Sequence, residues 1–152
     1  MPRPGIAGFA LLTAVSLALV ACDGDTSEKN DYVDEVNQVT STLQSGLTEV
    51  GSGARVESPD QAAVFEEFAG QLEGAAADLE GIDPPEGIGD LQDTIVEDLR
   101  MLEDEATGAA NEIRQGGPAA ISGVAAQFLV EANRIGTEID STIGEINSEL
   151  QE

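Results

Sequence analysis

The feature that most limits what this chain can fold into is a run of apolar residues spaced by three and four without a slip. It comprises Ile88, Leu91, Ile95, Leu99, Leu102, Ala106, Ala109 or Ala110, and Ile113. An α-helix turns once in about 3.6 residues, so this spacing gathers all of these side chains on one face, and a one-faced apolar helix must bury that face against a partner. The chain carries partners of the same design. Tyr32, Val36, Val39, Leu43, Leu47 and Val50 form one stripe, and Phe65, Phe68, Leu72, Ala75 or Ala76, Leu79 and Ile82 form another. A last stripe runs through Ile121, Val124, Phe128, Ala132, Ile135, Ile139, Ile143, Ile146 and Leu150. No segment of useful length alternates apolar with polar residues, so the expected fold class is all-α.

The stripes are separated by breakers. Gly51-Ser52-Gly53 is expected to end the first helix. The second should begin at Ser58-Pro59-Asp60-Gln61, with Ser58 as cap, Pro59 at the first helical position and Gln61 closing a capping box. Asp83-Pro84-Pro85-Glu86-Gly87 interrupts the chain again, because proline cannot continue an incoming helix, and Gln115-Gly116-Gly117-Pro118 ends the third helix. Four stripes on short connections imply an antiparallel up-down four-helix bundle. In that topology the start of the first helix, the Pro84-Pro85 turn and the C-terminus share one end, and the Gly51 and Gly116 turns share the other. The fourth stripe is longer than the first, which predicts an overhang or a bend near Gly123.

Ahead of the stripes, residues 1–21 carry one basic side chain, Arg3, and then an uncharged apolar stretch from Ile6 to Ala21. A spanning helix needs about 20 apolar residues, and this stretch is shorter and runs straight into Asp23 and Asp25. The pattern is that of a cleaved signal peptide. It ends in Leu19-Val20-Ala21-Cys22, which contains the only cysteine of the chain and resembles the lipobox of bacterial lipoproteins. The resemblance implies a diacylglyceryl group on Cys22 and cleavage before it. The expected location is then the extracytoplasmic face of the cell membrane, held there through acylated Cys22, since two acyl chains suffice for stable anchoring. Three parts follow: signal peptide 1–21, a small polar tether 22–30 and an acidic helical domain 31–152. The tether, the four stripes and the turn Leu79-Glu80-Gly81-Ile82-Asp83-Pro84-Pro85-Glu86 together resemble small helical lipoproteins of high-GC actinobacteria. That resemblance implies no activity.

Charge and missing residue types exclude several functions. The chain has 30 Asp and Glu against 6 Lys and Arg, a net charge of −24, and the basic residues are scattered. Nucleic-acid binding requires clustered Lys and Arg, so no nucleic-acid partner is expected. There is no histidine, the single lysine is Lys29 and the single thiol is committed to the lipobox. Histidine-based metal sites, Ser-His-Asp catalysis and Schiff-base chemistry therefore have no residues to run on. Asp90, Asp93, Glu97 and Asp104 form a row beside the third stripe, with Arg100 able to pair with Glu97 or Asp104. The row lacks the looped spacing of a Ca²⁺ site and reads as a solvated helix face. Gly70 and Gly74 make a Gly-x-x-x-Gly, and Gly46, Gly108, Gly123, Gly136 and Gly144 are further glycines inside helical stripes, each either permitting close packing or weakening its helix. The expectation is a non-enzymatic envelope protein with no cofactor, no metal site and no catalytic residues, acting as an interaction module toward an envelope protein partner. The alternative is an extracytoplasmic module that binds divalent cations or a small apolar ligand.

Overall fold

Four α-helices and one 3-10 turn are built on the four stripes. They are α1 (Thr26–Val56), α2 (Gln61–Glu80), α3 (Gly89–Gly116), the turn Gly117–Ala120 and α4 (Ile121–Glu149). The computed structural model describes the backbone of residues 26–56 and 60–151 and the side chains of residues 29–53 and 60–151. Among the described residues there is no strand. None of the helices searched is long and apolar enough to cross a membrane.

The stripes become the core. Tyr32, Val36, Val39 and Leu43 of α1 meet Phe65, Phe68, Leu72 and Leu79 of α2, the α3 row from Ile95 to Ile113 and the α4 row from Ile121 to Ile146 in one buried apolar cluster. Each fully buried side chain of this size stabilises the fold by about 1.5–3 kcal/mol relative to exposure. The interface between α2 and α3 is the most extensive, followed by α3 with α4 and α1 with α2, while α1 and α4 touch more lightly. Directions follow from cross-links between helices. Arg114, late in α3, pairs with Glu66, early in α2, and Arg100 pairs with Glu80 at the end of α2, so these two helices run oppositely. Lys29 Nζ, in the first turn of α1, donates to the Leu150 carbonyl at 3.4 Å, which joins the start of α1 to the end of α4.

Two turns conform closely to the sequence reading. After α2, the Ile88 N–H donates to the Pro85 carbonyl at 3.0 Å, with Gly87 at φ +86°, a conformation that side-chain-bearing residues rarely adopt. The last carbonyls of a helix have no partner within it, and Gln92 supplies one from outside: its Nε2 donates to Leu79 O at 2.9 Å and to Ile82 O at 3.2 Å. After α3, the chain turns at Gly117, at φ +65°, and Pro118 sits in the first turn of the 3-10 segment.

Other boundaries depart from expectation. α1 starts at Thr26, so residues 26–30 of the expected tether are helical, and the Lys29 bond to the end of α4 ties that turn down. α1 also passes through Gly51-Ser52-Gly53 instead of stopping there. Packing holds the helix through its glycines: Gly51 is buried, and Gly53 lies so close to Gln61 that an added methyl would overlap the Gln61 amide. Gln61, far from closing a capping box, is fully buried and donates from Nε2 to Val50 O at 3.1 Å. Ser58 and Pro59 lie outside the described residues. The bend expected near Gly123 is also absent, because α4 is continuous. Ile121, Ala125 and Phe128, all buried, carry the helix past Gly123, and the change of direction is made in the 3-10 turn before it. The length order is reversed as well, with 31 residues in α1 and 29 in α4.

Candidate functional site

Cys22, the lipidation candidate, lies outside the described residues, four positions before α1 begins. The carboxylate row on α3 is described in full. Asp90, Asp93, Glu97 and Asp104 are all exposed, and no group of three or more His, Cys, Asp or Glu that could hold a metal ion occurs among the described residues. Arg100 does not pair within the row. Its Nη2 instead takes both oxygens of Glu80, at 2.7 and 2.8 Å, because the register of α2 against α3 brings that carboxylate closer than any neighbour on its own helix. Gly70 and Gly74 do not mediate close packing either, since a methyl on either would meet nothing within 4 Å. Close approaches are made instead at Gly46, against the Phe68 ring, at Gly53, against the Gln61 amide, and at Gly116, against the Ala120 methyl.

A charged residue that the stripe reading passed over sits between α3 and α4. Asp98 is only 5 % exposed, and its Oδ2 is buried with no hydrogen-bond partner among the described residues. Burial holds its carboxyl above the usual carboxylate range, Glu138 of α4 and Glu97 push in the same direction, and Arg134 opposes them. Arg134 is already engaged on its own helix: Nε bonds Glu131 at 2.8 Å and Nη1 bonds Glu138 at 2.8 Å. Its guanidinium is consequently held well above its ordinary pKa by the two carboxylates. The signal for Asp98 was present in the spacing, since it lies three residues after Ile95 and four before Leu102, a core-facing position. Neither Asp98 nor Glu138 lines any of the three grooves described below.

Other buried polar groups have structural work or none. The Tyr32 hydroxyl, Gln61 Oε1, Gln92 Oε1 and Asn147 Oδ1 are buried without a hydrogen-bond partner among the described residues. Burial pushes the Tyr32 phenol up to about 12, so it stays protonated across the physiological range.

Concavities lie along the seams between helices. One of about 190 Å³ opens between α3 and α4, over Gly108, Ala109, Val124 and Phe128, with Asp104, Glu105 and Glu112 at its rim. Another of about 180 Å³ lies between α1 and α2 over Val39, Gly74 and Ala75, with Glu35 and Asp78 beside it. A broader depression of about 580 Å³ lies where α3 begins and α4 ends, between Asp90, Leu91, Gly144 and Glu145. Small-molecule sites usually enclose about 300–1,000 Å³ behind mostly apolar walls; the first two are smaller than that, and all three carry acidic residues. Comparison with protein-family models, curated proteins and solved structures finds no match for this chain.

Proposed function

We propose that the mature chain is a lipid-anchored, non-enzymatic protein at the outer face of the cell membrane, working by contact with another envelope protein. The observation that carries this reading is Leu19-Val20-Ala21-Cys22 closing an uncharged apolar segment. Four helices on short connections, with α2 and α3 opposed and α1 joined at its start to the end of α4, support an antiparallel up-down four-helix bundle as its body. With α1 starting at Thr26, the chain between Cys22 and the first helical residue can reach at most about 14 Å. The body therefore stands close to the bilayer, with the 82–88 turn and Leu150 at its base. At about 1.5 Å per residue, α1 alone extends roughly 45 Å away from it.

The acidic surface fits this placement. Its repulsion from anionic head groups decays within about 8 Å at physiological salt, so the charge helps hold the bundle upright without detaching it. A contact role also suits the chemistry at hand. Asp98, the one Asp or Glu that is buried among the described residues, is shut between helices, and exposed carboxylates face solvent singly or in ion pairs.

Expression of wild type and Cys22→Ser in a lipoprotein-processing bacterium, followed by membrane fractionation, tests the reading. Wild type should sediment with membranes and resist high-salt extraction, while Cys22→Ser leaves that fraction. Equal partitioning of the two proteins contradicts it.

A further inference from the structure

We propose that the groove between α3 and α4 at Gly108 seats an arginine or lysine side chain of the protein partner, presented from a basic amphipathic segment. The proposal rests on the contact function above and names the surface that would perform it.

Size, floor and charge all point to one cationic side chain. A groove of about 190 Å³ is too small for a typical small-molecule ligand and comparable to one long side chain. Its floor is apolar, formed by Ala109, Val124 and Phe128, which suits the aliphatic stem that Lys and Arg bury while their charged heads stay near water. Asp104, Glu105 and Glu112 stand around it and are all exposed. None of the three is in a salt bridge among the described residues.

Among the described residues, the chain's own cations do not fill this role. Lys29 bonds the Leu150 carbonyl, Arg100 takes Glu80, Arg114 takes Glu66, and Arg134 takes Glu131 and Glu138. Every basic side chain in the described regions is thus held elsewhere, and the groove keeps its negative charge for an incoming one. Gly108 lines it, and a methyl there would meet nothing within 4 Å, so no intramolecular contact demands a glycine at this point. The companion groove between α1 and α2 has two carboxylates in place of three and no aromatic residue in its floor. Arginine is also the charged residue most enriched at energetic centres of protein interfaces.

The test is an NMR titration of the full chain with a synthetic amphipathic peptide carrying arginine and leucine on one helical face. The expected shifts concentrate at residues 104–112 and 124–128 and weaken with added salt. Gly108→Leu, which fills the groove without altering charge, should weaken binding about tenfold or more. The pair Glu105→Gln and Glu112→Gln should weaken it several-fold, while Glu35→Gln with Asp78→Gln, an equal charge change at the other groove, leaves it within about twofold. An absence of shifts at residues 104–112, or equal losses for the two charge-matched pairs, overturns the proposal. Because the titration does not depend on acylation of Cys22, such a result would leave the anchored-contact reading standing. Failure of the fractionation test, in turn, would leave the groove untouched.

Discussion

Gly46 and Gly70 are both helical glycines, and the same substitution at each should move stability in opposite directions. Replacing a glycine in a helix interior by alanine favours the helix by up to about 1 kcal/mol, because the unfolded chain has less backbone entropy to lose. At Gly70 of α2 the new methyl meets nothing within 4 Å, so Gly70→Ala should stabilise by nearly that full amount. At Gly46 of α1 the methyl would overlap the Phe68 ring. That ring cannot simply swing aside. It is 2 % exposed and packed edge-on against Phe128, with centroids 6.2 Å apart, and Phe128 in turn stands edge-on to Phe65 at 5.0 Å. Forcing an extra methyl into a packed core costs about 1–3 kcal/mol, which outweighs the propensity gain, so Gly46→Ala should be destabilising by up to about 2 kcal/mol net. For a domain of this size, 1 kcal/mol shifts Tm by roughly 3 °C. Thermal and urea melts of both variants beside wild type provide the measurement. Two shifts of the same sign would refute the argument that the α1–α2 seam closes on a bare backbone at Gly46.

The other predictions concern buried polar groups and surface pairs. Asp98 binds its proton more tightly in the folded chain than in the unfolded one, so its contribution to stability is full below the unfolded pKa of about 3.9 and is lost as pH rises through the higher folded value. Asp98→Asn should therefore exceed wild type in stability at pH 7 by about 1 kcal/mol, with the gap shrinking toward pH 4; a gap that widens on acidification contradicts the assignment. Gln92→Leu keeps the volume but removes the donor to Leu79 O and Ile82 O, and should lower the urea midpoint by the equivalent of about 1 kcal/mol. Arg100→Ala should change stability by less than about 1 kcal/mol despite its two short bonds to Glu80, because both side chains are about half exposed.

How much of this was legible in the sequence depended on whether the deciding interaction was local. The stripes were legible because apolar spacing both makes a helix face and names the core, and Ile95, Leu99, Phe128 and Ile139 lie buried as that spacing requires. The breaks at 83–87 and 115–118 were legible because proline cannot continue an incoming helix and a glycine followed by proline commonly ends one, and Gly87 and Gly117 take the positive φ of these turns. The end of α1 was not, because Gly51 and Gly53 look like a stop until Gln61 of the next helix is known to press against Gly53. The partner of Arg100 was hidden for the same reason, since spacing within α3 says nothing of its register against α2. Asp98 is invisible to a stripe counted in apolar residues, although its place between Ile95 and Leu102 is core-facing and its neighbour Glu97 is exposed. The groove at Gly108 arises from the meeting of two helices, so no linear pattern announces it.

The measurement that bears most directly on the central claim is the intact mass of the mature protein purified from membranes. The account predicts a chain beginning at Cys22 and heavier than its sequence by a diacylglyceryl group, with or without a further N-terminal acyl chain. An unmodified cysteine, or an N-terminus at any other residue, would contradict it.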